Sequence, residues 1–243
     1  LCRETIEEYT QEMRETAARV GLSCDFDKEY LTDSEEYRGV SQSIFVDLFK
    51  RGDIVEDLRP NIYDPVEGTT IADAEVERLR RNSKLIDILW TTEDGIDVVI
   101  STTRPELICA CGVVVVHPDD DRYRNLVGKK IVIPVETNGR TKSVEIMTHP
   151  SVKSEFGSGV LMVCSFGDQN DVAVFRELGL TPFQAIDLEG NMTDVSGPYA
   201  GLTVLEAREK VIEDLTSAKR IVNIIEKEQE VPVSERGKNP VEI

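Results

Sequence analysis

Apolar residues recur at Ile6, Tyr9, Met13, Ala17 and Val20, three and four positions apart, and Gly21 follows. That spacing predicts an amphipathic helix over residues 3–20 with a glycine stop. A second helix is expected over 34–51. Asp33 or Ser34 can cap it, Glu35 and Glu36 suit the positive end of its dipole, and Gly52 follows. GLSCDFDKEYLTD between them reads as a connection. The pattern then changes: Pro60, Pro65 and Gly68 divide residues 54–78 into a strand, a turn and a second extended piece. From Lys84 the apolar runs are strand-like: KLIDILW, a turn at EDG, then IDVVIST, GVVVVHP, KKIVIPV, KSVEIMT and SGVLMVCSF. TNGR, at 137–140, carries an Asn-Gly hairpin signal. DQNDVAVFRELGL predicts a short helix ending at Gly179. LTVLEAREKVIEDLTSAKR predicts a longer one, with Thr203 and Glu206 spaced as a capping box. RIVNIIEKEQEVPV returns to strand.

Many short, irregularly spaced strands with few helices predict a mixed α/β fold: a curved or barrel-like sheet with surrounding helices, plus the N-terminal helical pair. The stretch 60–70 and SERGKNP at 234–240 read as two passes of one connecting β-ribbon. Residues 1–70 are then the helical pair and first pass, 71–230 an inserted domain, and 231–243 the returning pass.

Composition adds limits. The chain has 243 residues, 40% hydrophobic and 30% charged, as in ordinary soluble domains. Its apolar stretches fall far short of the roughly 18 residues a membrane span needs. LCRETIEEYTQEM carries acids at once, with no apolar signal core. The first residue is Leu1 rather than methionine, so a piece of something longer is expected. Five cysteines lie at 2, 24, 109, 111 and 164. Cys109 and Cys111 flank one residue, too close for a relaxed bridge, and lack a second pair for zinc. Reduced, mostly core-packed thiols and a cytoplasmic location are expected. The net charge of −18 repels a polyanion at long range, so a nucleic-acid partner needs a local basic patch. An acidic solvated surface with no such partner fits the same number.

His117 and His149 are too few and too separated for a metal site. No Gly-x-Ser-x-Gly elbow and no Gly-rich phosphate loop occurs. Two stretches remain. In STTRPE, residues 101–106, hydroxyls and a guanidinium stand where a strand stops, and a second apolar strand is expected at once. Arg104 can fork onto a carboxylate or phosphate. Taken alone, the stretch also fits a threonine-capped strand end with a surface arginine. In EFGSGVLMVCSFGDQNDV, residues 155–172, Gly157 and Gly159 allow close backbone approach, and Asp168 and Asp171 share a helix face. Helix capping accounts for Asp168; it accounts less well for Asp171, which could receive an ammonium group.

Together these stretches resemble the editing-site-bearing connective insertion of class I aminoacyl-tRNA synthetases for valine, isoleucine and leucine. ADAEVE at 72–77, TTRPELICACGVVVVHPDDDRY at 102–123 and FGSGVLMVCSFGDQND at 156–171 carry the resemblance in family order. GPYAGLTVLEAREKVIEDL and SERGKNPVEI extend it over nearly the whole chain. TTRPEL, HPDDDRY and the Phe-Gly-Asp form of the acidic block are most similar to the archaeal kind of valyl enzymes.

The resemblance implies a tRNA-editing hydrolase domain of a valine–tRNA ligase, acting in protein biosynthesis on the aminoacylated 3′ end of tRNA. It would remove threonine from valine tRNA. Asp171 would bind the α-ammonium. Thr102, Thr103 and Arg104 would line the pocket and hold the terminal adenosine and ester carbonyl. Asp168 would recognise the threonine hydroxyl and Phe156 would pack on the substrate end. Leu107, Met162, Gly157 and Gly159 would complete the substrate-binding surface, and a positioned water would attack. Met162 and Gly167 stand where bacterial members carry Lys and His. YDPVEGT and SERGKNP lack the ribbon cysteines of many relatives, so no metal is expected. The family's His-Ile-Gly-His and Lys-Met-Ser-Lys-Ser type motifs are absent. No cofactor is therefore expected here; ATP and Mg belong to the parent synthetase, whose catalytic domain would tether this one. Isoleucine or leucine specificity, or a non-catalytic tRNA-binding module that kept the fold, are the alternatives.

Overall fold

The computed structural model describes residues 2–56, 59–135 and 143–243, so the TNGR turn lies outside the described residues. The chain divides into two compact units, residues 1–58 and 59–243. In the first, α1 (Cys2–Arg19) and α2 (Glu35–Arg51) occupy the expected stretches. Ser34 caps α2, its hydroxyl accepting the Tyr37 amide at 3.2 Å. Arg14 pairs with Glu29, and Tyr30 meets Tyr37 edge-on at 5.5 Å. Neither helix buries a residue within its unit, and Met13, Ile44, Phe45 and Phe49 remain exposed.

The second unit begins with a short hairpin, β1 (Tyr63–Asp64) and β2 (Thr69–Thr70). There follow β3 (Val76–Thr92), β4 (Asp97–Thr102), β5 (Cys111–Val116), β6 (Lys130–Val132), β7 (Ser143–Thr148), β8 (Val160–Cys164), α3 (Gln169–Glu177), α4 (Val204–Ser217) and β9 (Ile221–Ser234). The strands join in the order β4-β3-β6-β7-β5-β8, with β9 also on β3, and the sheet curls into a half-barrel with helices around it. β5 pairs in parallel with β7; the other ladders are antiparallel. Trp90, Ile100, Ile108, Ile131 and Val114 fill the main core. Cys109, Cys111 and Cys164 are buried, whereas Cys2 and Cys24 are exposed, and none of the five forms a disulfide among the described residues.

The ribbon passes meet at their ends. Tyr63 and Glu242 exchange backbone hydrogen bonds of 2.9 Å, and Ser234 donates to the buried Asp64 carboxylate at 2.7 Å. Two local expectations change. The stretch after Arg104 does not re-enter strand at once: Pro105–Ala110 is a fully buried 3-10 helix, and the strand resumes at Cys111. Pro105 has no N–H for a ladder and starts a helical turn instead, which packs against α4. β3 also starts eight residues before Lys84, at Val76, because β9 pairs with its polar first half.

No helix among the described residues is long and apolar enough to cross a membrane. Helix α4 carries its capping box, with Thr203 accepting the Glu206 amide at 3.3 Å and Glu206 accepting the Thr203 amide at 3.0 Å. Its spacing buries Ala207, Val211 and Leu215. Leu215→Ala removes a side chain 1% exposed, whereas Leu205 on the opposite face is 68% exposed. We expect Leu215→Ala to cost about 2–5 kcal/mol and Leu205→Ala less than about 0.5 kcal/mol. Urea denaturation followed by Trp90, the single tryptophan, checks both.

Candidate functional site

The alternation of β4 turns Thr102 toward the core and Ser101 the other way. Thr102 is paired with Ile86 across the ladder and is 7% exposed, and its hydroxyl accepts the Arg104 amide at 3.0 Å. Thr103 is half-buried and has no hydrogen-bond partner among the described residues. Arg104 spends its donors inside the protein. Nε reaches Glu106 at 3.0 Å, Nη1 the Gly167 carbonyl at 3.2 Å and Nη2 Glu242 at 2.7 Å. Arg208, from α4, donates to both oxygens of Glu106 at 2.9 and 2.7 Å. Two cations and two carboxylates thus close a neutral network around a fully buried Glu106. Burial opposes its ionisation, but Arg208 and Arg104 hold its carboxyl below the usual range.

The Arg104 bond to Gly167 ties this turn to the start of α3. Phe166 takes a left-handed φ of 57°, a strained conformation for a residue with a side chain. A Cβ at Gly167 would strike the Asp171 carboxylate, so glycine leaves that acid its place. Asp168 caps α3 by accepting the Asp171 amide at 2.9 Å. Asp171 accepts the Cys164 amide at 3.1 Å. Burial, with the neighbouring Asp168 charge, pushes its carboxyl up to about 7 against that bond and Arg104.

A cavity of about 210 Å3 adjoins this junction. Ser101 and Asn170, the chain neighbours of Thr102 and Asp171, line it together with Ser151, Lys153, Phe156 and Leu161. Phe156 is 43% exposed at its edge, with the Lys227 ammonium 4.5 Å from the ring centre. Gly157 has φ 57°, and a Cβ there would lie 2.5 Å from Ser101. Ser101 accepts the Ser158 amide at 3.0 Å and donates to Asp87 at 2.5 Å.

The two sequence blocks therefore come together through Arg104 and Gly167; Phe156 and Gly159 line the cavity, Gly157 packs against Ser101, and Thr102, Thr103, Arg104, Asp168 and Asp171 stand beside the cavity without lining it. Leu107 and Met162 do not join them. Both pack into the main core, at 2% and 5% exposure. Leu107 is carried inward by the 3-10 helix, and strand alternation gives the cavity Leu161 instead of Met162. Sequence reading missed Glu106 as the network's centre, although an acid within the apolar run PELICA is a visible signal. Arg208, Glu242 and Asn170 gave none. His117 accepts the Asp119 amide at 3.1 Å.

A curled mixed sheet thus joins these blocks at one strand end, and comparison with known proteins gives the class of the chain, an aminoacyl-tRNA synthetase family. The chain belongs to the family described as tRNA synthetases class I (I, L, M and V), whose model matches residues 1–225. It is 40% identical over 243 residues to a valine–tRNA ligase of Archaeoglobus fulgidus, and 41% over 244 residues to that of Methanocaldococcus jannaschii. Each match covers all of this chain and 27% of the relative. The valine–tRNA ligase of Nanoarchaeum equitans is 39% identical over 243 residues, again with the whole chain covered and 32% of the relative. The chain thus spans about a quarter to a third of the length of these relatives. A leucyl-tRNA synthetase in a ternary complex with tRNA, from Agrobacterium radiobacter K84, aligns at 17% identity and a TM-score of 0.42. That alignment covers 92% of this chain and 36% of the other.

Removing one member of the buried network leaves its partners uncompensated. Glu106→Gln should cost about 3–5 kcal/mol at neutral pH. Because the Glu106 carboxyl lies below its unfolded value, its contribution is present above about pH 4.3 and lost as acid protonates it. Denaturation of both proteins at pH 7 and pH 4 should show the gap between them narrowing in acid.

Proposed function

We propose that this chain is the editing domain of a valine-specific synthetase, hydrolysing the ester of valine tRNA mischarged with threonine in the cytoplasm. The carrying observation is Asp171, a half-buried carboxylate pushed up to about 7 beside the Thr102–Arg104 turn and a cavity with one aromatic wall. A carboxylate so placed gains most when a cation arrives, and the α-ammonium of an aminoacyl ester supplies one. The need for such a site is physical. A hydrophobic synthetic pocket rejects an isostere bearing a hydroxyl by only about a hundredfold, the figure that describes valine-specific synthetases themselves. A second, polar sieve supplies the remaining discrimination.

In this reading Asp171 holds the ammonium, Asp168 meets the threonine hydroxyl with the oxygen its helix cap leaves free, and Phe156 packs on the substrate end. Thr103, with no internal partner, is the hydroxyl available to the substrate. Thr102 and Arg104 act by fixing the turn, since their polar atoms are engaged in it. A positioned water attacks the ester carbonyl, and catalysis comes from orientation and from dipoles facing the developing oxyanion.

One observation favours a second reading, with Ser151 as nucleophile. Its hydroxyl borders the cavity 2.7 Å from His149 Nδ1, and His149 Nε2 is 2.9 Å from Glu177. Two features weigh against it. The Ser151 amide points at the same Nδ1 at 3.2 Å, as in a local turn, and the Glu177 side chain is 65% exposed. Ser151→Ala should therefore retain hydrolysis, whereas Asp171→Asn should lose about 10- to 100-fold in kcat/KM, the worth of one charge-assisted bond.

The pH profile has a defined sign. The pair needs an ionised Asp171 and a protonated α-ammonium, which itself titrates at about 8 or just below, so kcat/KM should rise with pH through about 7 and fall again above about 8; Asp171→Asn should abolish the rising limb. Release of threonine from threonyl-tRNA(Val) checks these outcomes. Equal residual ester with wild type, variant and buffer would leave only a tRNA-binding module. Preferential hydrolysis of valyl-tRNA(Ile) would reassign the specificity.

A further inference from the structure

The long β3–β9 ribbon sorts its charges by face. Directly opposed residues of an antiparallel pair project to the same side. One face pairs Arg80 with Glu230, Asn82 with Glu228 and Lys84 with Glu226, and so holds every acid of β9. The other pairs Leu79 with Val231, Arg81 with Gln229, Ser83 with Lys227 and Leu85 with Ile225. Between Asp87 at one end and Glu77 at the other, that second face carries no carboxylate. In a chain with 46 acids against 28 Lys and Arg, such a clear stretch is a departure from the rest of the surface.

The clear face leads to the cavity. Lys227 reaches over the Phe156 ring at the cavity edge, and Lys153 stands on the cavity wall. Among the described residues neither ammonium has an ion pair. The acids around them are otherwise placed. Asp87 holds Ser101, and Glu226 and Glu228 project from the opposite face. Arg81 donates one nitrogen to the Lys238 carbonyl at 2.7 Å, and no carboxylate neutralises it among the described residues.

We propose that this face is a track for the phosphodiester backbone of a single RNA strand, gripped by Arg81, Lys227 and Lys153 as its end enters the cavity past Phe156. Spaced cations beside an exposed aromatic ring suit a flexible strand. The cations follow its phosphates, and the ring offers a stacking surface to any base. Lysine, a point charge without a rigid fork, tolerates the changing geometry of such a backbone. The inference rests on the reading that the cavity receives the end of a tRNA, and it adds the residues that guide the strand there.

The test uses the whole chain and a fluorescein-labelled single-stranded RNA hexamer, with anisotropy titrations over a range of salt. Lys227→Gln, Lys153→Gln and Arg81→Gln should each weaken binding several-fold, and each should lower the slope of log K against log salt by about 0.7. Glu228→Gln, on the acidic face, should leave the slope unchanged, and thermal melts should show all four variants folded. Absence of hexamer binding by the wild type overturns the proposal, as does binding that the three cation variants leave unaltered. The hydrolytic reading fails separately. A wild-type chain that releases no threonine from threonyl-tRNA(Val) but binds the hexamer with these losses keeps the track without the hydrolysis.

Discussion

The site depends on one buried carboxylate. Glu106 cannot reach water, so its anion is tolerable only when held between Arg104 and Arg208. That demand fixes four segments at once. Arg104 brings the end of β4, Arg208 brings α4, and the remaining donors of Arg104 collect Glu242 from the returning ribbon and the Gly167 carbonyl from the start of α3. The turn that presents Thr103 and the turn that presents Asp171 are thereby held at the same place. A loose surface arginine could not do this. The side chain acts as a fastener whose geometry is dictated by the acid beneath it.

The same network explains the electrostatics of Asp171. A guanidinium close by ordinarily drags a carboxyl well below its usual range. Arg104 exerts that pull, yet it is outweighed by burial and by Asp168, and the Asp171 carboxyl rises to about 7. Glu106 and Glu242 have already drawn on the charge of Arg104. The protein thus keeps an anion short of a partner beside a cavity, while the arginine that could have served as its partner secures the fold. Under the proposed function, the α-ammonium of the aminoacyl ester would complete what the chain leaves open.

Much of this was legible in the sequence, because much of it is local. Spacing marked α1, and caps with a glycine stop marked α2, to within a residue at their ends; α4 stops three residues before the expected Arg220, and its Thr203–Glu206 box is a contact across three positions. Asp168 and Asp171 lie on one short helix, so their relation could be read directly. Partners far apart in the chain could not be. Glu106 meets Arg208 at a separation of 102 residues, and Arg104 meets Glu242 across 138. The family resemblance marked Leu107 and Met162 for the substrate surface but could not show that a 3-10 turn and strand alternation bury them. The approach of Ser151, His149 and Glu177 depends on how residues 149–151 turn against α3, which no spacing rule encodes.

Strand alternation carries a further consequence for a protein so acidic. A net charge of −18 argues against a polyanionic partner only if the charge is spread evenly. In β9 the acids fall on every second residue, 226, 228 and 230, and pleating sends all three to one side. Asn223, Ile225, Lys227 and Gln229 face the other way, toward the side that Phe156 borders. Screening over about 8–10 Å at physiological ionic strength lets the two faces of one ribbon present different potentials. Long-range repulsion would then slow an approaching strand without denying it a place to settle. Affinity at this surface is decided by the few cations on the clear face, and the overall charge weighs against every approach that misses it.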